Sequence, residues 1–492
     1  MKTTLTTSEG GSGFSACPAR GAEGTRRSPA ASAAVRILLK GTPGGPMGLG
    51  LKRPPSRPGG ARLSRGAGRR NLALLSWLAF VVSLGFGAVS GILPYYMLYL
   101  AGELKELPEE LGRISRAGSY AVEYGTLISV FMLTRAFLAR YFGSASDRVG
   151  RKRLIVAGTA LYVVVSLGYV AARSLPELYA VRGLQGVASA MVWPVAEALL
   201  MDSVDPERRG RSMAVYMVST NLAMISGPAI GVAAYKLGVL ALGLREVGEA
   251  LRFPFLFLAL FSSMGIPAAV LLVEERAGAG GAAGDRVEME PWARRSVRAL
   301  YVMAAANGVA MGFSGPLLSL FVVQHVSSDP TVLAVVSTLP GLAGLAAAYP
   351  AGRLSDTAGR KRVVLAAGAL SRISTALLPL FRGVWELTAL ATLRSVAFNS
   401  LQPAMRALQA DLVPEGVRGR VFGTFQAAFN VGAVVGPVLG GAVYSAFSGR
   451  EIPVGPASIP GEAVSFWTGA LIGAASLAVF AVFVREPERR TS

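Results

Sequence analysis

Twelve continuously apolar runs divide this chain, near 72–100, 119–142, 154–173, 177–202, 211–240, 253–273, 299–323, 330–351, 363–382, 387–411, 421–447 and 464–484. An apolar stretch of about 20 residues spans the roughly 30 Å hydrocarbon core of a bilayer, so the pattern predicts twelve membrane-crossing helices. Barrel strands would be about ten residues long with alternating polarity, which excludes that architecture. Glycine and proline are abundant inside the runs, where membrane helices tolerate them and small residues let backbones approach closely.

The polar segments between the runs repeat. Gly143-Ser-Ala-Ser-Asp147-Arg-Val-Gly150-Arg151-Lys152-Arg153 returns 209 positions later as Gly352-Arg-Leu-Ser-Asp356-Thr-Ala-Gly359-Arg360-Lys361-Arg362. The same offset pairs Asp202 with Asp411, Arg209-Gly210-Arg211 with Arg418-Gly419-Arg420, Asn221 with Asn430, and Gly227-Pro228 with Gly436-Pro437. One six-span half is written twice, and the two halves are expected as parallel repeats about an axis along the membrane normal. The expected organisation is a disordered basic tail over 1–70, which could reflect an early start codon with Met47 as the true start, and a six-helix bundle over 71–273. A Gly/Ala-rich cytoplasmic linker over 274–298, a second bundle over 299–484 and a cytoplasmic tail over 485–492 follow.

Composition agrees with a bilayer protein: 52% of the 492 residues are hydrophobic and 16% charged. The net charge of +20 is mostly topology and tail. With the two cassettes on the cytoplasmic side, inside segments after the first span hold 21 Lys and Arg against 9 outside, which predicts cytoplasmic termini in the plasma membrane. The first 70 residues hold 13 basic and two acidic residues and cannot bury a core; a transit peptide or a polybasic lipid anchor are the other readings of this tail. Cys17 is the only cysteine and His325 the only histidine. Neither a thiolate metal site nor a Ser/His/Asp set can be built from them, no nucleotide-binding loop occurs, and neither cofactor, metal nor nucleic acid is expected. His325 is expected as an interfacial loop residue.

The cassettes carry the chemistry. Gly143 and Gly352 are read as helix ends at a sharp turn, which a residue lacking Cβ makes without strain. Asp147 and Asp356 are expected near the N-terminus of a neighbouring helix, whose free N–H groups favour an anion. Arg151 and Arg360 can reach Asp202 and Asp411 at the ends of the fourth and tenth spans. With Gly150, Lys152, Gly359 and Lys361 these residues form the expected gating loops.

The paired Gly-x-x-Ser-Asp-x-x-Gly-Arg-Lys-Arg loops, twelve spans and central linker resemble the major facilitator superfamily over about residues 71–490, although Ala145 stands where the family usually has Leu. The resemblance implies an all-α fold of two six-helix repeats that expose one midplane site alternately to either side, usually in a monomer. Leu178, Arg182, Gln185, Gly186 and Ala190 look like the family's fourth-helix motif, whose Arg serves proton transfer in proton-coupled members. An Arg about five residues inside a membrane helix must face a wet cavity or a partner, or snorkel to the outer interface. In the eleventh span Gly423, Gly432, Gly436-Pro437 and Gly440-Gly441 reproduce the glycine spacing of the antiporter motif, which belongs in the fifth. There only Gly227-Pro228 and Gly231 remain, with Ala214, Ala223 and Val232 in the other places. These small residues also serve close helix packing. The resemblance to drug:proton antiporters is therefore partial.

Glu197 and Arg406 are equivalent under the offset, each three residues after a proline and five before an aspartate. Across the pseudo-two-fold axis they are expected to form a salt bridge closing the cytoplasmic gate when the cavity opens outward. Arg394 resembles a cavity residue, Arg135 could snorkel, and Arg372 has no sequence-based account. The resulting expectation is proton-coupled efflux of small drug-like molecules through a pathway containing Arg182, Gln185, Glu197, Arg394 and Arg406. Because arginine outnumbers acid there, organic-anion or sugar transport is the alternative, and a non-transporting sensor on the same fold is the rival of another class.

Overall fold

A computed structural model describes residues 65–273, 290–413, 418–454 and 457–486; residues 1–64 of the expected tail over 1–70 and most of the linker lie outside these, while residues 65–70 open the first helix rather than continue the tail. The first half holds α1 (Arg65–Leu100), α2 (Ala121–Val149), α3 (Arg151–Ala171), α4 (Leu175–Ser203), α5 (Arg209–Ala241) and α6 (Val247–Val270). The second holds α7 (Pro291–Val326), α8 (Pro330–Ala358), α9 (Arg360–Leu377), α10 (Val384–Leu412), α11 (Arg418–Phe447) and α12 (Ala463–Phe483). A two-stranded antiparallel hairpin, β1 (Glu451–Val454) with β2 (Ala457–Pro460), lies between α11 and α12.

Eleven of these helices are long and apolar enough to cross a membrane by themselves. The twelfth, α10, carries Arg394, Asn399, Gln402 and Arg406 in its interior and enters the fold packed on α8 and α9. Two helix starts fall well before their apolar runs: α6 begins at Val247 and α7 at Pro291. The first turns of α7 are charged, and Pro291 at its start loses nothing because the first N–H groups of a helix have no intrahelical partner.

Packing repeats between the halves. In the first, α1 lies on α5, α2 on α4, and α3 on α4 and α6; in the second, α7 lies on α11, α8 on α10, and α9 on α10 and α12. The halves meet through α2 against α11 and α5 against α8. The tightest contacts are backbone to backbone. A Cβ on Gly231 would stand 2.5 Å from Ala88 O of α1, and one on Gly432 2.1 Å from Ala305 O of α7. Gly227, Gly436 and Gly440 face Gly87, Val309 and Phe313 in the same way. Side chains beyond glycine would separate these helices. Pro228 and Pro437 lie inside α5 and α11, where neighbouring helices make such breaks tolerable.

Among the described residues, buried apolar side chains gather in three clusters. One is shared by both halves at the end away from the cassettes and includes Tyr96, Leu98, Phe255, Phe321, Val323 and Tyr444. At the cassette end each half has its own, one around Leu75, Ile155 and Leu199, the other around Val364, Leu408 and Phe480. The halves are fused at one end and separate at the other.

Candidate functional site

The cassettes are mostly helix rather than loop. Gly143 and Gly352 do not end helices, because α2 continues to Val149 and α8 to Ala358 with Ser146 and Ser355 hydroxyls donating to the carbonyls of Gly143 and Gly352. The turns are made by Gly150 and Gly359, at φ of 103° and 98°, a region that favours glycine. Arg151 and Arg360 each reach two carboxylates: Arg151 pairs with Asp202 and stands 3.4 Å from Asp147, while Arg360 pairs with Asp411 and stands 3.7 Å from Asp356. Each cassette thereby ties the start of α3 or α9 to the end of α4 or α10.

The anion on the N-terminus of α9 is Glu486 rather than Asp356. It accepts from the backbone N–H of Arg360 at 2.9 Å and of Lys361 at 3.1 Å, while Lys361 Nζ donates to Ala481 O. Asp356 is still inside its own helix and cannot turn to that position. The sequence contains Glu486 two residues past the last apolar run, but nothing in its spacing ties it to the cassette.

Midway through the first half, Arg182 is 1% exposed, which removes snorkelling as its explanation. Its Nη1 donates to Gln185 Oε1 at 2.6 Å, and the same oxygen accepts from Tyr169 Oη–H at 2.8 Å. The guanidinium lies over Phe86 at 5.9 Å and Phe131 at 5.7 Å, a cation–π arrangement. Its Nε is enclosed without a partner. Gly186 brings α4 against α2, where a Cβ would stand 2.7 Å from Phe131 O. A charged group that is enclosed, held by one neutral acceptor and short of one partner is suited to bind a further group or to sense one.

Glu197 and Arg406 do not form an ion pair in this structure. Arg406 is exposed and Glu197 half-buried. The charges acting on Glu197 are Arg135 of α2 and, more weakly, Arg406. The two residues lie on different halves, whose apolar clusters near the cassettes are separate. Arg135, left open by the sequence, is the charge within its own half that faces Glu197. Arg372 also gains an account: its Nη2 donates to Asn307 Oδ1 of α7.

Polar contacts between the halves concentrate at the far end. Ser328 N–H donates to Gly112 O at 2.9 Å and its hydroxyl to Pro108 O at 2.5 Å, Ile114 N–H donates to Val323 O at 3.1 Å, and Ser445 Oγ donates to Ser119 O at 3.3 Å. Lys236 of α5 stands 3.3 Å from Glu109 and 3.4 Å from Asp329, so one lysine joins the α1–α2 connection to the start of α8. Burial raises the Asp329 pKa, but the Thr331 N–H, Lys236 and the Thr331 side chain more than offset this and hold it below the ordinary value. Sequence reasoning missed this cluster; a lysine near the end of the fifth apolar run was the available signal.

His325, expected in an interfacial loop, is held in helix. It lies in a π turn, Val322–Val326, ending α7, with Nε2 3.3 Å from Glu462 Oε2. Glu462, 1% exposed at the start of α12, also accepts from Gln324 Nε2 at 2.7 Å, Ser448 Oγ at 2.9 Å and Gly449 N–H at 3.0 Å. Burial pushes its pKa up, but the His325 ring 3.3 Å away, its own backbone N–H and the Gly449 N–H win and hold it at about 2, against an ordinary 4.5. A carboxyl with a depressed folded-state pKa contributes stability above its unfolded value. That contribution, about 3 kcal/mol, should disappear as pH falls from about 4.5 to about 2. Glu462→Gln should lower the melting temperature in detergent at pH 7 and flatten its dependence on pH below 4.5; an unchanged acid profile would rule the assignment out.

The Major Facilitator Superfamily profile matches residues 75–300 and again 300–492. The chain belongs to the Major Facilitator Superfamily. Two matches of one profile, end to end, also agree with the repeat in packing. Within the superfamily the chain is similar to the multidrug resistance protein MdtG of Proteus mirabilis, 27% identical over 392 residues covering 78% of this chain and 91% of that one. The MdtG of Dickeya zeae is 26% identical over 397 residues, covering 80% and 92%. Among solved structures, a bacterial homolog of the human lysosomal transporter Spinster, inward-facing and occupied, shares the fold with a TM-score of 0.64 at 14% identity, covering 85% of this chain and 96% of that chain. The nucleoside transporter NupG matches with a TM-score of 0.63 at 11% identity, covering 84% and 100%. The chain is thus a multi-pass membrane transporter of this superfamily.

Proposed function

We propose that this chain exports small drug-like molecules across the plasma membrane by alternating access, driven by protons moving inward, with the cassettes and both termini in the cytoplasm. The observation that carries the reading is the asymmetry of the cores, one shared at the far end and one per half at the cassette end. Toward the cassettes Phe137 and Tyr141 of α2 and Tyr349 and Leu354 of α8 are exposed, which supports a cavity between the halves open to that side. Closing it requires Glu197 and Arg406 to approach while the Lys236 cluster breaks. The multidrug resistance names of the relatives support efflux of drug-like compounds, and the enclosed Arg182 supports a proton-linked step.

The first test is proton flux in proteoliposomes holding a pH-sensitive dye, with lipophilic cations, organic anions and sugars offered in turn. Proton movement opposite to one class is expected; movement with it would replace export by uptake. The second locks the far end. Ser119→Cys with Ser445→Cys places two thiols where Ser445 now bonds Ser119 O. In a background lacking Cys17, oxidation should reduce transport at least tenfold and reduction should restore it. Transport that proceeds with the disulfide formed would refute alternating access through this end.

A further inference from the structure

Two arginines lie inside the second half: Arg394, which the sequence places in the transport pathway, and Arg372, which the transport steps described so far do not use. Arg372 lies twelve residues into α9 from Arg360, about 18 Å along the helix and so near the middle of a hydrocarbon core roughly 30 Å thick. Its stem occupies the space that glycine leaves on α12: a Cβ on Gly473 would stand 2.3 Å from Arg372 Nε. The far end of the guanidinium donates to Asn307, whose Oδ1 also accepts from Ser476 Oγ at 3.4 Å. Arg394, on the neighbouring α10, is close enough for the charge of Arg372 to act on it.

The Nε of each arginine is enclosed without a partner, and neither forms an ion pair among the described residues. A charge buried at this depth is costly unless an anion compensates it.

The outer wall beside Arg372 shows which anion fits. Between α9 and α12 runs a cavity of about 390 Å³ lined by Leu365, Ala369, Ile373, Leu477 and further alanines, with Arg372 as its only charged group. An apolar trough ending at one guanidinium matches a molecule with an apolar body and one acidic group. A phospholipid is the wrong length for it, because its phosphate rests at the bilayer edge while Arg372 lies about 18 Å into the helix.

We propose that Arg372, backed by Arg394, binds the anionic group of a lipophilic organic acid whose apolar body lies in the groove between α9 and α12. The proposal rests on the export reading only in making such acids cargo; the binding site stands without it.

The test is therefore a binding measurement on the full chain in detergent, with no transport step. The probes are matched acid and ester pairs, naproxen with its methyl ester and rhodamine 110 with its methyl ester, rhodamine 123. The acid is expected to bind at least tenfold more tightly than its ester in at least one pair. Arg372→Gln should remove that preference without weakening the ester, Arg394→Gln should reduce it, and Arg372→Lys should keep part of it and serves if the glutamine variant does not fold. Ala474→Phe, which fills the groove while keeping both charges, should weaken acid and ester alike. Equal binding of acid and ester in both pairs, or an acid preference that survives Arg372→Gln, would overturn the proposal. Full binding with the groove filled would overturn its placement. Repeating the measurement in nanodiscs with and without phosphatidylglycerol separates the sources: unchanged acid binding supports a free acid, and competition by the lipid overturns that choice of occupant. Loss of transport with acid preference intact would count against the export reading alone.

Discussion

Arg182→Ala is expected to reduce proton-linked transport at least a hundredfold while leaving a folded protein. The guanidinium has one side-chain acceptor, Gln185, and rests on two aromatic faces. Such cation–π contacts contribute about 1 to 2 kcal/mol each when desolvated, so removal should lower the melting temperature by several degrees without unfolding the chain. Transport should suffer far more, because Gln185 and Tyr169 keep their mutual bond but lose the charge they surround. Arg182→Lys retains the charge but not the planar fork, and a compact ammonium on a flexible stem cannot both stack on Phe131 and reach Gln185 in the same way. It should recover a minor fraction of the rate. Proton flux and substrate counterflow, measured on the same liposomes, check this. If flux in the alanine variant stays within about twofold of the parent, proton linkage through Arg182 is wrong.

Much of the fold was legible because its signals are long. Runs of apolar residues and a 209-residue repeat cannot arise from local accident, and each carries its own length scale. The cassette glycines show where legibility stops. Gly143 and Gly150 look alike in the sequence, and only the continued helix through Asp147 shows that the second makes the turn. Contacts made by residues far apart in sequence were less legible still. Glu486 reaches Arg360 from 126 positions away, and Gln324 reaches Glu462 across 138. No period or spacing encodes such pairs; they exist because helix ends converge once α7 and α9 have packed on α12. The Glu197–Arg406 expectation had the opposite character. Symmetry made the two positions equivalent, but symmetry fixes no distance, and in this structure Arg406 is exposed and Glu197 half-buried without an ion pair between them.

Within the single glycine motif of α11, substitutions should divide by what each position touches. Gly436→Val would bring Cβ to 2.6 Å from Val309 O and 2.9 Å from Val309 Cα, both backbone atoms of α7 that cannot move without moving the helix. Separating α7 and α11 also pulls on Gly308, Gly312 and Gly432, which interlock along the same seam. Overpacking of this kind costs about 1 to 3 kcal/mol even where side chains can adapt, so a loss of at least about 3 kcal/mol is expected here, with poor recovery of folded protein. Gly423 belongs to the same sequence motif but meets nothing within 4 Å. Gly423→Ala should leave the melting temperature unchanged or raise it slightly, since alanine favours helix by about 1 kcal/mol over glycine. Melting curves of the purified variants in one detergent decide the matter. Equal losses at 423 and 436 would mean that the glycines act through backbone flexibility rather than close approach, and the packing account of α7 and α11 would fail.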